Sequence, residues 1–173
     1  MKDAYLLDTS IASIAWDGGH PSHHQTRGGL AALGDVSISV CAITIAEVLY
    51  GLYVSPSIDR QRHDAVRQAL EQYHVWDVDR HTAEVYARIR GRLFELYAPR
   101  DRKGRLTAKQ PEDLRDRTMA KELGIQENDL WVLSVAVQYD LRFLTSDKKM
   151  QRILDVAKEI HGYDRALVWT LTP

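Results

Sequence analysis

Short apolar runs that stop abruptly, each followed by a segment of helical length, constrain this chain more than any other feature. Ala4 to Leu7 (AYLL), Val36 to Val40 (VSISV), Val75 to Val78, Leu141 to Leu144 and Ala166 to Leu171 (ALVWTL) have strand length and strand composition. Between them lie stretches of helical spacing: Thr9 to Trp16, His20 to Leu33, Ile45 to about Val54 with Thr44 as its cap, and Ile58 to Tyr73. Thr82 is the expected cap of a longer amphipathic segment that carries Val85, Ile89, Leu93 and Leu96 on one face. Pro111-Glu112-Asp113 is expected to open a further helix that Gly124 ends; Asn128 is the expected cap of the next, and Lys148 to Val156 reads as the last. This alternation predicts an α/β fold, a central parallel β-sheet flanked by α-helices on both faces.

Bulk properties narrow the function classes. The 173 residues suit one domain with a core that needs no staple. Cys41 is the single cysteine, so no intrachain disulfide forms and a reducing cytoplasm is the expected compartment. Lys2 is followed at once by Asp3, unlike a signal peptide, and no stretch approaches the ~18 apolar residues of a membrane span. No membrane partner is expected. The net charge is −1, so contact with nucleic acid requires local segregation of charge.

In open α/β sheets ligands bind outside the carboxyl ends of the strands. Asp8 follows the first strand and Asp147 follows RFLT; Glu47 lies early in the helix after VSISV, and Asp129 in the first turn of the helix leading into RFLT. Taken singly, each acid is explained as a helix cap, a turn former or a complement to a helix dipole. Taken together, four carboxylates raise one another's pKa or require a cation. Oxygen donors without histidine or cysteine favour Mg²⁺ or Mn²⁺, ions suited to phosphoryl chemistry.

The four acids stand in the words LLDTS, ITIAEVLYGL, ENDLWVLSVAV and FLTSD. In this order the words resemble the PIN-domain nucleases, and within them the VapC-type ribonuclease toxins of type II toxin–antitoxin modules. That family shows a strand ending in Asp-Thr-Ser/Asn, then Thr-x-x-Glu followed by leucine and glycine (here Leu49 and Gly51), then Asn-Asp on an apolar helix, then a strand ending in Thr with an acid nearby. The resemblance spans residues 4 to about 150 and implies a PIN-like fold, with residues 1–173 forming one PIN domain. It implies that Asp8, Glu47, Asp129 and Asp147 are the catalytic, metal-binding acids, and that Thr9, Ser10 and Thr145 are supporting hydroxyls. Asn128 stands between helix cap and site neighbour. The implied activity is an Mg²⁺- or Mn²⁺-dependent endoribonuclease in which a metal-activated water attacks RNA phosphodiesters, leaving 3′-hydroxyl and 5′-phosphate ends. A cognate antitoxin and a homodimer are the implied protein partners.

Two departures accompany the resemblance. Residues 98 to 123 are longer than the family's usual connection, and their basic side chains outnumber the acidic ones by three. Arg100, Arg102, Lys103 and Arg105 in this insert are candidates for contact with the RNA backbone; a solvated, salt-bridged loop is the alternative. The segment after Asp147, KKMQRI, lacks the aromatic often found there. A catalytically silent PIN-like module that binds nucleic acid or protein is the competing function. A phosphatase using Asp8 as nucleophile is disfavoured, because Ser10 stands where a second Asp is usual.

Other groups are assigned structural places. His20, His23 and His24 lack the further ligands of a zinc site and are expected at the surface. Cys41 is expected as a small buried residue. Trp76, Trp131 and Trp169 are expected in the core, while Tyr50 and Tyr53 either line a partner groove or pack inside.

Overall fold

A computed structural model describes residues 3–55, 60–116 and 121–171. The chain divides into two compact units: residues 1–78, 141–147 and 165–173 form the first, residues 79–140 and 148–164 the second.

The first unit holds a five-stranded sheet, β1 (Ala4–Leu7), β2 (Ser37–Cys41), β3 (His74–Trp76), β4 (Arg142–Thr145) and β5 (Ala166–Val168). Its order is β3-β2-β1-β4-β5 and every pairing is parallel. Tyr5, Leu6 and Leu7 of the central strand are all buried, as both faces of a parallel sheet demand. The same unit contains α1 (Thr9–Trp16), α2 (His23–Ala32), α3 (Ala42–Val54) and α4 (Arg60–Leu70). Ile11, Ala12, Ala15 and Trp16 of α1 pack with Val40, Val48, Val66, Leu70 and Leu144 in one apolar cluster. Gly29 on α2 has a defined reason: a Cβ there would lie 2.9 Å from the Trp169 ring. The fold class is α/β, a central parallel sheet flanked by helices, as the alternation predicts.

The second unit contains α5 (Arg80–Tyr97), α6 (Glu127–Gln138) and α7 (Gln151–His161). Ile89 and Leu93 are fully buried. Tyr86 of α5 stacks flat on Trp131 of α6, centroids 3.8 Å apart. Gly162 ends α7 in the left-handed region with φ +66°, the usual reason for glycine after a helix.

Several boundaries differ from expectation for local reasons. Helix α2 starts at His23 rather than His20, because the Ser22 N–H turns back to His20 Nδ1 and the His23 N–H to the His20 carbonyl. Helix α3 starts at Ala42 with Cys41 as its N-cap, so Thr44 lies buried in the first turn and its hydroxyl sits 3.6 Å from Cys41 Sγ. Asp79, not Thr82, is the N-cap of α5, and Thr82 completes a reciprocal capping box. The helix expected from Pro111 is a single 3₁₀ turn, Pro111–Asp113. Leu114 is then extended and fully buried, and an antiparallel bridge joins Arg115 to Glu122. Burying Leu114 and pairing its carbonyl with the Leu123 N–H outweigh the helix-start signal. Pro56, Ser57, Ile58 and Arg117 lie outside the described residues. Trp76, Trp131 and Trp169 are half-buried, Trp169 packing against the apolar cluster; Trp16 is the buried tryptophan.

Candidate metal centre at the carboxyl edge of the sheet

The chain runs outward from β1 through β2 to β3, then returns to the other side of β1 as β4 and β5. The reversal falls between β1 and β4, and this is where an open α/β sheet leaves a crevice for a ligand. Asp8 is the first residue past β1, and Thr145 is the last of β4.

Asp8 is 4% exposed. It is the N-cap of α1, with Oδ1 accepting from the Thr9 N–H at 2.8 Å. Oδ2 accepts from two hydroxyls, Ser10 at 2.8 Å and Thr145 at 2.7 Å. Both hydroxyls are oriented from behind. Ser10 Oγ accepts from the Ser146 N–H at 3.2 Å and Thr145 Oγ1 from the Asp147 N–H at 3.0 Å. A hydroxyl has one proton, and here each proton is directed to Asp8. The backbone of the turn after β4 therefore sets the carboxylate through two relays.

Glu47 projects from the second turn of α3, half-buried, and accepts from the Thr9 hydroxyl. Thr9 thus serves both acids, Asp8 through its N–H and Glu47 through its Oγ1. The Asp8 carboxyl is pushed above its ordinary value, chiefly by burial. Hydrogen bonds from Thr145, Ser10 and the Thr9 amide oppose this, and the Glu47 charge adds to the rise. Burial and the Glu47 charge both disfavour the ionised Asp8 carboxyl, and a cation beside the pair would relieve them.

The other expected site residues are placed as follows. Asp147 is half-buried at the end of the Thr145-Ser146-Asp147 turn, and its backbone amide is part of the relay. Asp129 and Asn128 belong to the second unit, in the first turn of α6. Asp129 Oδ2 accepts from the Gln126 N–H at 3.0 Å. Gln126 is the N-cap, so Asn128 is not the cap expected for it. Among the described residues, no group of three or more His, Cys, Asp or Glu side chains is already gathered into a metal-binding cluster. Arg100 and Arg105 are exposed in the insert, Arg100 donating to the Gly104 carbonyl and Arg105 pairing with Asp101 at 3.0 Å. Arg102 and Lys103 are exposed there too. The sequence reading missed the amides of Ser146 and Asp147, because backbone donors leave no trace in residue identity.

The Asp8 pair suits a hard divalent cation. All its side-chain donors are oxygens, and Asp8 uses three of its roughly four acceptor directions. Asp8 and Glu47 are the residues that would hold such an ion in the first unit.

A family model, the PIN domain, matches residues 5–155. The chain belongs to the PIN domain family. The match covers the words that carry Asp8, Glu47, Asp129 and Asp147. Solved structures share the fold of this PIN domain at low identity. VapBC-1 from nontypeable Haemophilus influenzae is 21% identical with a TM-score of 0.60, covering 96% of this chain and 98% of that one. VapBC2 from Rickettsia felis, solved bound to a DNA fragment from its promoter, is 22% identical with a TM-score of 0.59, covering 87% and 92%. VapBC-5 of Mycobacterium tuberculosis, from the VapBC family of toxin–antitoxin systems, is 22% identical with a TM-score of 0.55, covering 95% and 96%. No curated protein sequence matches the chain significantly. Among the described residues, no helix is long and apolar enough to cross a membrane.

Proposed function

We propose that this PIN domain is the toxin of a type II toxin–antitoxin pair and acts as a divalent-metal-dependent endoribonuclease in the cytoplasm. The observation that carries the reading is Asp8: a buried carboxylate at the switch point of the sheet, aimed by two relayed hydroxyls and beside the like charge of Glu47. A bound Mg²⁺ or Mn²⁺ supplies Lewis-acid stabilisation for in-line displacement at phosphorus. Asp8 and Glu47 hold that charge, with Asp147 and Asp129 as the further proposed ligands. Thr9, Ser10 and Thr145 fix the carboxylates so that little reorganisation is needed at reaction. The substrate is RNA, approached by the phosphate backbone, with Arg100, Arg102, Lys103 and Arg105 as outlying contacts.

A cognate antitoxin is the proposed partner, supported by the toxin–antitoxin complexes that share the fold. A homodimer is proposed as well. Tyr50, 67% exposed, and Tyr53, 73% exposed, lie on α3 with Val54 and give protein partners an apolar surface. Residues 1–173 are taken as one functional PIN domain with the insert as an appendage.

Mapping cleavage sites on total RNA tests the reading. Wild-type protein with Mg²⁺ or Mn²⁺ is expected to cut at defined bonds, leaving 5′-phosphate ends, and Asp8→Asn or EDTA to abolish every cut. Equal cleavage by Asp8→Asn or in EDTA refutes the metal-nuclease reading. Stable RNA binding without cleavage in metal by the wild type favours a silent binding module instead.

A further inference from the structure

Beside Glu47 the first unit contains a cavity of about 290 Å³ between α1, α3 and α4. Glu47 and Thr9, which belong to the carboxylate cluster, are also part of its wall. Its apolar lining is Val48, Leu52 and Val66. Arg62 and His63 of α4 add hydrogen-bonding groups. Arg62 is held in place: its guanidinium pairs with Asp17 Oδ2, while Asp17 Oδ1 accepts from the Gly19 N–H at 3.0 Å. The Asp17-Gly18-Gly19 turn thus positions the arginine before any ligand arrives.

We propose that this cavity is a subsite for one unpaired RNA base, next to the bond that is cut. The inference rests on the nuclease reading above and names what selects the substrate. Three features favour a base. The volume lies at the small end for ligand pockets and suits one ring system. An apolar lining with polar groups around it matches a base, which has apolar faces and a hydrogen-bonding edge. An occupant lies against Glu47, so a base seated here brings the phosphodiester beside it to the acids. Guanidinium planes also stack on splayed-out bases, and Arg62 is positioned to contribute in that way. The subsite makes cleavage depend on single-stranded RNA with a preferred base at one position relative to the cut.

Gly51 of α3 supplies the test. It lines the cavity, and a Cβ built there meets nothing within 4 Å. Gly51→Leu therefore places a side chain at the cavity while improving helix propensity, so folding is preserved or strengthened. Wild type, Gly51→Leu, Arg62→Ala and Asp8→Asn are compared on a randomised single-stranded RNA pool with Mn²⁺, reading the base at each position around every cut. The expected result is a base preference at one position in wild type that falls roughly tenfold or more in Gly51→Leu and falls in Arg62→Ala, with the melting temperature of Gly51→Leu unchanged or raised. Identical cut-site profiles in wild type and Gly51→Leu overturn the subsite and leave the nuclease reading standing. Unchanged profiles with weaker neutralisation by the cognate antitoxin assign the cavity to a protein segment and likewise overturn it. Absence of any cleavage that Asp8→Asn abolishes overturns the nuclease reading, and the subsite with it.

Discussion

Asp8 and Asp79 occupy the same local position and are used in opposite ways. Each caps the helix that follows a strand, Asp8 directly after β1 and Asp79 three residues after the end of β3. Asp79 is exposed and takes the N–H groups of His81 and Thr82 together with the Gln138 side-chain amide. These bonds hold its carboxyl below the usual value, the Thr82 amide contributing most. Asp8 caps its helix with one oxygen only. The other is claimed by hydroxyls from its own helix and from β4, and burial drives its carboxyl upward. One aspartate is adapted to hold a helix start. The other is kept in an arrangement unfavourable for an isolated charge, as ligand sites often are.

The largest expected effect separates the two by activity. Asp8→Asn is expected to reduce metal-dependent RNA cleavage about a thousandfold or more, whereas Asp79→Ala leaves cleavage per folded molecule unchanged. Thr145→Val comes next. It keeps the shape of the side chain but removes the hydroxyl that links the Asp147 amide to Asp8, and single-turnover assays should show a loss of roughly tenfold to a hundredfold. In stability the order reverses. Asp79→Ala is expected to lower the melting temperature, while Asp8→Asn without metal holds or raises it, as thermal unfolding at neutral pH will show.

The smallest effect is in the pH dependence. The Asp79 carboxyl is lowered on folding, so its contribution is present above its ordinary value near 3.8 and is lost as pH falls through the lowered one. The Asp8 carboxyl is raised, so the native state binds the extra proton, and stability declines as pH rises from near 3.8 through the raised value. Without metal, Asp8→Asn should remove that decline, which melting temperatures from about pH 4 to about pH 7 measure.

Much of this contrast was legible in the sequence, and the reasons can be located. β1 and α1 were readable to the residue because Asp8 divides an apolar run from a helical repeat with no competing signal. Its partners Ser10 and Thr145 came from the family words rather than from spacing, since residues 10 and 145 meet only when β1 pairs with β4. The stretch after Pro111 misled because proline followed by two acids opens a helix locally, while Leu114 and Leu123 are settled by burial in the second unit. The Thr44 and Asn128 caps failed for a related reason. Cys41 and Gln126 have no capping signature, yet the strand or loop before them delivers the chain to the helix at those residues. The cavity beside Glu47 was invisible, because its lining comes from three helices whose residues each read as ordinary.

Calorimetric titration of Mn²⁺ into the wild-type, Asp8→Asn and Asp79→Ala proteins tests the central claim most directly. The account predicts saturable binding in the wild type, retained affinity in Asp79→Ala, and loss of binding in Asp8→Asn. Equal Mn²⁺ affinity in the wild type and Asp8→Asn, or none in the wild type, would contradict it.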